Sequence, residues 1–160
     1  MGLDSLISRL IWGDTRPETM SDAAARLVET FRDFGGDDLR DLWVFDHHGY
    51  EHLYLRADVS DALECLDISR FIDNERFGYV TRDTYETLYY ADYGYTVRGF
   101  DSFEQFRTFV GDRPTGVLAS FDRGTDGRDF AALNDRVRTL NDEFTGAELF
   151  SDPTARDHQP

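Results

Sequence analysis

At 160 residues and 18.5 kDa the chain is long enough for one domain with a substantial core and short for two. Hydrophobic residues make up 40% and aromatics 14%, which supplies core material and excludes a chain held disordered by its charge. Against 32 acidic residues stand 17 basic ones, every one of them Arg, for a net charge of −15, so the broad basic footprint of a nucleic-acid binder is missing.

Leu3, Leu6, Ile7, Leu10 and Ile11 recur at helical spacing and predict a short amphipathic helix, stopped by Gly13 and Pro17. This extension, residues 1–19, either packs on its own domain or docks on a partner or membrane surface. Met20 offers an alternative start, which would leave residues 1–19 outside the native protein. No charged-then-apolar leader is visible, and no apolar run nears the roughly 18 residues of a membrane-spanning helix. The single Cys65 cannot form an internal disulfide and is expected to serve packing in a reduced, cytoplasmic interior.

The main domain is expected over 20–146. Ser21 caps a helix carrying Ala24, Leu27, Val28, Phe31 and Phe34 on one face and ending at Gly35-Gly36. Two extended runs, Leu42–Asp46 and Tyr50–Arg56, flank His47-His48-Gly49 and read as a β-hairpin. Alternation puts Tyr50, His52, Tyr54 and Arg56 on one face of the second run. Residues from about Ser60 to Asn74 suggest one or two helices with Leu63, Leu66, Phe71 and Ile72 inward. The Tyr-rich runs Thr84–Ala91 and Tyr95–Phe100 read as a second hairpin. Ser102 then caps a short helix with Phe103, Phe106 and Val110, and Gly116–Phe121 reads as a fifth strand. Phe130, Leu133, Val137, Leu140 and Phe144 form a helical stripe. The tail, 147–160, is expected to be disordered.

The expected fold is therefore α+β, a largely antiparallel five-stranded sheet packed with about four to five helices. Its element order is similar to that of Roadblock, profilin and PAS-type interaction or sensor domains, over about residues 20–145, with one departure: a helix between strands four and five. An acidic composition dominated by Asp and free of Lys resembles the proteomes of salt-accumulating haloarchaea, where carboxylates hold proteins in solution at molar salt. The chain as a whole resembles small haloarchaeal domain families, a resemblance that implies no activity.

Chemistry is sparse. Asp46, His47, His48 and His52 supply metal-ligand types, yet two of the histidines are adjacent and no second pair completes a set, so a turn is the simpler expectation. If a metal were held, Asp46, His48 and His52 would be its ligands. Asp122 to Asp129 looks faintly like a calcium loop but has Gly124 and Leu133 where oxygen ligands belong. No phosphate-binding loop, dinucleotide glycine pattern or serine nucleophile elbow is present. With carboxylates this dense, proximity nominates no acid–base pair.

The tyrosines stand out. Tyr79, Tyr85, Tyr89, Tyr90, Tyr93 and Tyr95 crowd one stretch, and Tyr50 and Tyr54 lie on the first hairpin. Tyr50, His52, Tyr54, Tyr85, Tyr89 and Tyr95 are the candidate interaction residues, because Tyr combines contact area with a water-tolerant hydroxyl. The expected function is a non-enzymatic cytoplasmic interaction or sensor domain of a halophile, with no cofactor, partnered by another protein or by itself. Two alternatives stay open: a small enzyme or metal-dependent protein around Asp46, His48 and His52, and a nucleic-acid-binding regulator.

Overall fold

The computed structural model describes residues 20–88, 91–111 and 114–152. The predicted N-terminal helix and the candidate Tyr89 lie outside them. The order is α1 (Asp22–Gly35), a 3-10 turn (Gly36–Asp38), β1 (Leu39–Phe45), β2 (Tyr50–Leu55), α2 (Ala57–Leu63), α3 (Ile68–Leu88), β3 (Tyr95–Gly99), β4 (Phe103–Val110), β5 (Thr115–Asp122), α4 (Phe130–Asn141) and a 3-10 turn (Gly146–Leu149). The five strands form one antiparallel sheet in the order β2-β1-β5-β4-β3. The α+β class, with one five-stranded sheet, is as expected.

Helix α1 starts where the Ser21 side chain accepts the Ala24 N–H at 3.1 Å. It ends at Gly36, whose φ of 55° suits a residue without a Cβ and lets its N–H reach the Arg32 carbonyl. Leu27, Val28 and Phe31 from α1 and Phe130, Leu133 and Val137 from α4 cover one face of the sheet, over Leu42, Val44, Phe106, Val117 and Phe121. Each fully buried Leu or Phe contributes about 1.5–3 kcal/mol relative to exposure. Helices α2 and α3 cover the other face, where Val59, Ile72 and Tyr79 pack on Trp43, Phe45 and Leu118. Central strand β5 is consequently buried on both faces from Thr115 to Phe121. Leu149 and Phe150 are also buried, so the packed chain runs past the expected boundary at 146.

Two predicted elements change type. Thr84 to Leu88 is the end of α3, although Thr and Tyr favour strands. The helix continues because each turn already formed lowers the cost of the next. Its threonines also bond backward, Thr87 Oγ1 to the Asp83 carbonyl at 2.8 Å. Phe103–Val110, predicted as a helix, is strand β4. Its period of two was hidden because Arg107, which reads as a surface residue, is buried and paired with Glu75. With β4 a strand, the helix that set the predicted order apart from the Roadblock arrangement is gone. Cys65, expected in the core, is exposed between α2 and α3.

Candidate functional site

The histidine stretch is a turn. Asp46 Oδ1 accepts the N–H groups of His48 and Gly49 at 2.8 and 2.9 Å, the pattern by which an Asp side chain closes a tight loop. His47 stacks on Tyr79 with ring centroids 4.4 Å apart. His52 meets the Trp43 ring edge-on at 5.5 Å. Among the described residues no group of three or more His, Cys, Asp or Glu side chains is arranged to hold a metal ion, so Asp46, His48 and His52 are not gathered into one. The calcium-like loop is likewise divided: Asp122 binds Arg40 and Arg56, while Asp129 caps α4 through the Ala132 N–H.

The candidate tyrosines do not share a face. The β1–β2 pairing passes from Leu42 opposite Tyr54 to Trp43 opposite His52. Leu53 is the extra residue, and it reverses the expected alternation. Tyr54 therefore packs in the α1/α4 core, with the Arg32 guanidinium 5.0 Å over its ring, whereas Tyr50 leans on Trp43. Tyr95 lies on edge strand β3 beside Phe106, and Tyr85 is exposed on α3. Tyr79 is buried, its hydroxyl within reach of the carbonyls of Pro114 (2.8 Å) and Phe45 (3.3 Å). Burial pushes that hydroxyl's pKa up, and the charge of Asp46 adds to the shift.

What α3 does present is an apolar outer face. Phe77 is 71% exposed, Val80 64%, Leu88 69% and Tyr85 51%, with Thr81 and Thr84 between them in a shallow groove. The inner face is fixed to the sheet by Ile72, Glu75, Gly78 and Tyr79. Phe77 and Val80 carry the surface together with Tyr85, and only Tyr85 was a candidate from sequence. The missed signal is the 3- and 4-residue spacing of Phe77, Val80, Thr84 and Leu88, which the strand reading of 84–91 cut in two.

A second feature is a cleft of about 240 Å³ between α2, the start of α3 and the sheet. In the β1–β5 pairing Leu39 faces Phe121 and Asp41 faces Ser120, so Arg40 is a bulged residue, and Arg40 and Asp41 both border the cleft. Asp41 Oδ1 accepts the Ser120 N–H at 3.1 Å and Oδ2 accepts its hydroxyl at 2.8 Å. Burial pushes the Asp41 carboxyl above the usual carboxylate range, against the pull of those hydrogen bonds and of Arg40 and Arg56. Arg40 lies over the Phe103 ring at 4.8 Å and donates to Asp122 at 3.0 Å. Arg56 donates to both Asp122 and Asp58. No helix among the described residues is long and apolar enough to cross a membrane.

The class these features define is a three-layer α+β domain, one five-stranded antiparallel sheet between two helical layers, with one helix face left open. The chain belongs to a family described as a domain of unknown function, DUF7522, whose family model matches residues 25–142. No curated protein matches it. Among solved structures it is similar to MglB of Myxococcus xanthus, at 10% identity and a TM-score of 0.49, over 77% of this chain and 82% of that one. It is also similar to an MglB with tetrameric arrangement, at 14% identity and a TM-score of 0.44, over 81% of this chain and 93% of that one.

Proposed function

We propose that the chain is a non-enzymatic interaction domain that pairs with a second copy of itself through the outer face of α3, in the salt-rich cytoplasm of a halophile. The observation that carries this reading is the exposed stripe of Phe77, Val80 and Leu88 on a helix whose opposite side is already committed to the sheet. A contiguous apolar patch on an otherwise heavily charged surface marks an interface. Thr81 and Thr84 are small enough to let a second helix approach closely.

A two-fold axis near the middle of the stripe, between Thr81 and Thr84, sets Phe77 opposite Leu88 of the second copy, as a self-complementary interface requires. Beside the stripe, Arg82 is 3.3 Å from Glu86, four residues on along the helix, and 3.5 Å from Asp83, so its charge is paired within the helix.

Light scattering in molar KCl tests the reading. The parent should show the mass of two chains. Phe77→Glu with Val80→Glu should show the mass of one, with unchanged circular dichroism, since substitutions at exposed positions alter stability by only about 0.5 kcal/mol. A parent with the mass of one chain, or a double variant that still pairs, would overturn it.

A further inference from the structure

We propose that the cleft beneath α2 and the start of α3 binds a small organic ammonium, an aromatic or aliphatic body carrying one protonated nitrogen. The first support is shape. The cleft holds about 240 Å³, room for a single ring with a short chain. Val59 and Leu63 of α2, Ile72 of α3, Trp43 of β1 and Leu118 of β5 supply apolar walls. Leu66 and Phe71 at its edge are 48% and 53% exposed, an apolar rim that water covers poorly. A largely apolar cleft with a few convergent polar groups is the usual form of a small-molecule site.

The second support is the unmet hydrogen-bonding capacity of Asp41. Its carboxylate receives two hydrogen bonds, both from Ser120, whereas an ionised carboxylate has about four acceptor positions. Ser120 is itself buried and sits in the same cleft. The β1 bulge that turns Arg40 and Asp41 toward the cleft is a device that commonly re-aims side chains beside functional sites.

Charge is the third support. Arg40 and Arg56 both bind Asp122, and Arg56 also binds Asp58. Of the two charged residues that line the cleft, Arg40 and Asp41, Arg40 is committed to Asp122 and the Phe103 ring, and Asp41 is the one to which no arginine hydrogen-bonds. An ammonium supplies a positive charge for that carboxylate and N–H donors for its open acceptor positions. Its apolar body covers the walls, so charge and hydrocarbon are satisfied together. The elevated carboxyl pKa of Asp41 fits the same picture, because a bound cation favours the ionised form that burial disfavours.

The cleft lies on the inner side of α3 and the pairing stripe on its outer side, so this site does not depend on the pairing reading. The experiment is titration of the full chain in molar KCl at neutral pH with 2-phenylethylamine, 2-phenylethanol and 3-phenylpropanoate, followed by NMR shifts and melting temperature. A buried ion pair remains effective at that salt because screening acts mainly on exposed charges. The amine should bind saturably and about tenfold or more tighter than the alcohol, the difference a charge-assisted hydrogen bond makes. The carboxylate should bind more weakly than either.

Asp41→Asn should bring the amine down to the affinity of the alcohol. Leu63→Trp, which fills the cleft from α2, should abolish both while circular dichroism stays unchanged. Equal binding of amine and alcohol by the parent would overturn the proposal. So would amine binding that survives Leu63→Trp, or no binding by the parent. If Asp41→Asn fails to fold, the probe series and Leu63→Trp still decide.

Discussion

Glu75 of α3 and Arg107 of β4 form an ion pair at 3.0 Å in which both side chains are less than a tenth exposed. The other carboxylate oxygen of Glu75 receives Arg98 of β3 at 2.8 Å. Helix α3, whose outer face is open, is therefore held to the last two strands of the sheet by charge as well as by Ile72 and Tyr79. Gly78 sits one turn further on, and a Cβ there would fall 2.6 Å from the guanidinium carbon of Arg107.

Removing one partner of a buried pair leaves an uncompensated charge, which costs about 3–5 kcal/mol, while replacing both with apolar residues is often close to neutral. Glu75→Ala should therefore lower stability by about 3 kcal/mol in urea titrations. Glu75→Met combined with Arg107→Met should recover most of that loss. Gly78→Ala should cost about 1–3 kcal/mol through overpacking, although alanine is the better helix former. A Glu75→Ala loss well under 1 kcal/mol would mean the pair does little to seat the helix.

On α4, Leu133 is fully buried and Leu140 only partly, so the helix packs mainly within its own chain. Leu133→Ala should cost about 2–5 kcal/mol, the range for truncating a buried leucine. Leu140→Ala should cost distinctly less. Equal losses would mean that Leu140 is covered in solution by something beyond the described chain, such as a second copy.

Asp41 and Asp122 predict opposite pH behaviour. Burial raises Asp41, so its ionisation opposes folding: the penalty is absent below about pH 3.9, the ordinary Asp value, and grows as pH rises through the elevated native value. Asp41→Asn should therefore stabilise the protein at pH 7, by a margin that shrinks on acidification. Asp122 is lowered, chiefly by its hydrogen bond with Arg56, so its contribution is present above about pH 3.9 and is lost as pH falls through the depressed native value. Asp122→Asn should cost about 0.5–1 kcal/mol at pH 7, solvent screening included, and nothing once the native carboxyl is protonated. Melting temperatures of both variants across pH 3–8 test this, and parallel curves would contradict it.

The parts legible in the sequence are those whose pattern has one cause. The α4 stripe is apolar because one face meets the core, and the first hairpin is bounded by a turn that Asp46 and Gly49 close. Strand β4 was not legible because both of its faces are covered, one by α3, and the buried Arg107 imitates a surface position. The C-terminal half of α3 was hidden because Thr84, Tyr85 and Thr87 favour strands when read alone. Asp41 could not be singled out among 32 acidic residues. What distinguishes it is the bulge at Arg40 and the burial beside Ser120, both products of strand pairing over a separation of 79 residues.

The last prediction concerns salt. A net charge of −15 on 160 residues puts like charges closer together than the screening length of dilute buffer, about 10 Å at 0.1 M, but not closer than the roughly 3 Å of molar salt. The melting temperature should therefore rise steeply between 0.1 M and about 1 M KCl, as repulsion in the folded chain is screened. Salt also strengthens hydrophobic burial, and that effect would continue above 1 M and would not depend on surface charge. A variant separates the two. Asp61, Glu64, Asp101 and Asp142 are exposed, and replacing them with Asn or Gln removes charge while touching no buried contact. That variant should be more stable than the parent at 0.1 M KCl and should converge with it at high salt. If the two curves instead run parallel across the whole range, the salt dependence comes from burial, and the charge reading of this composition fails.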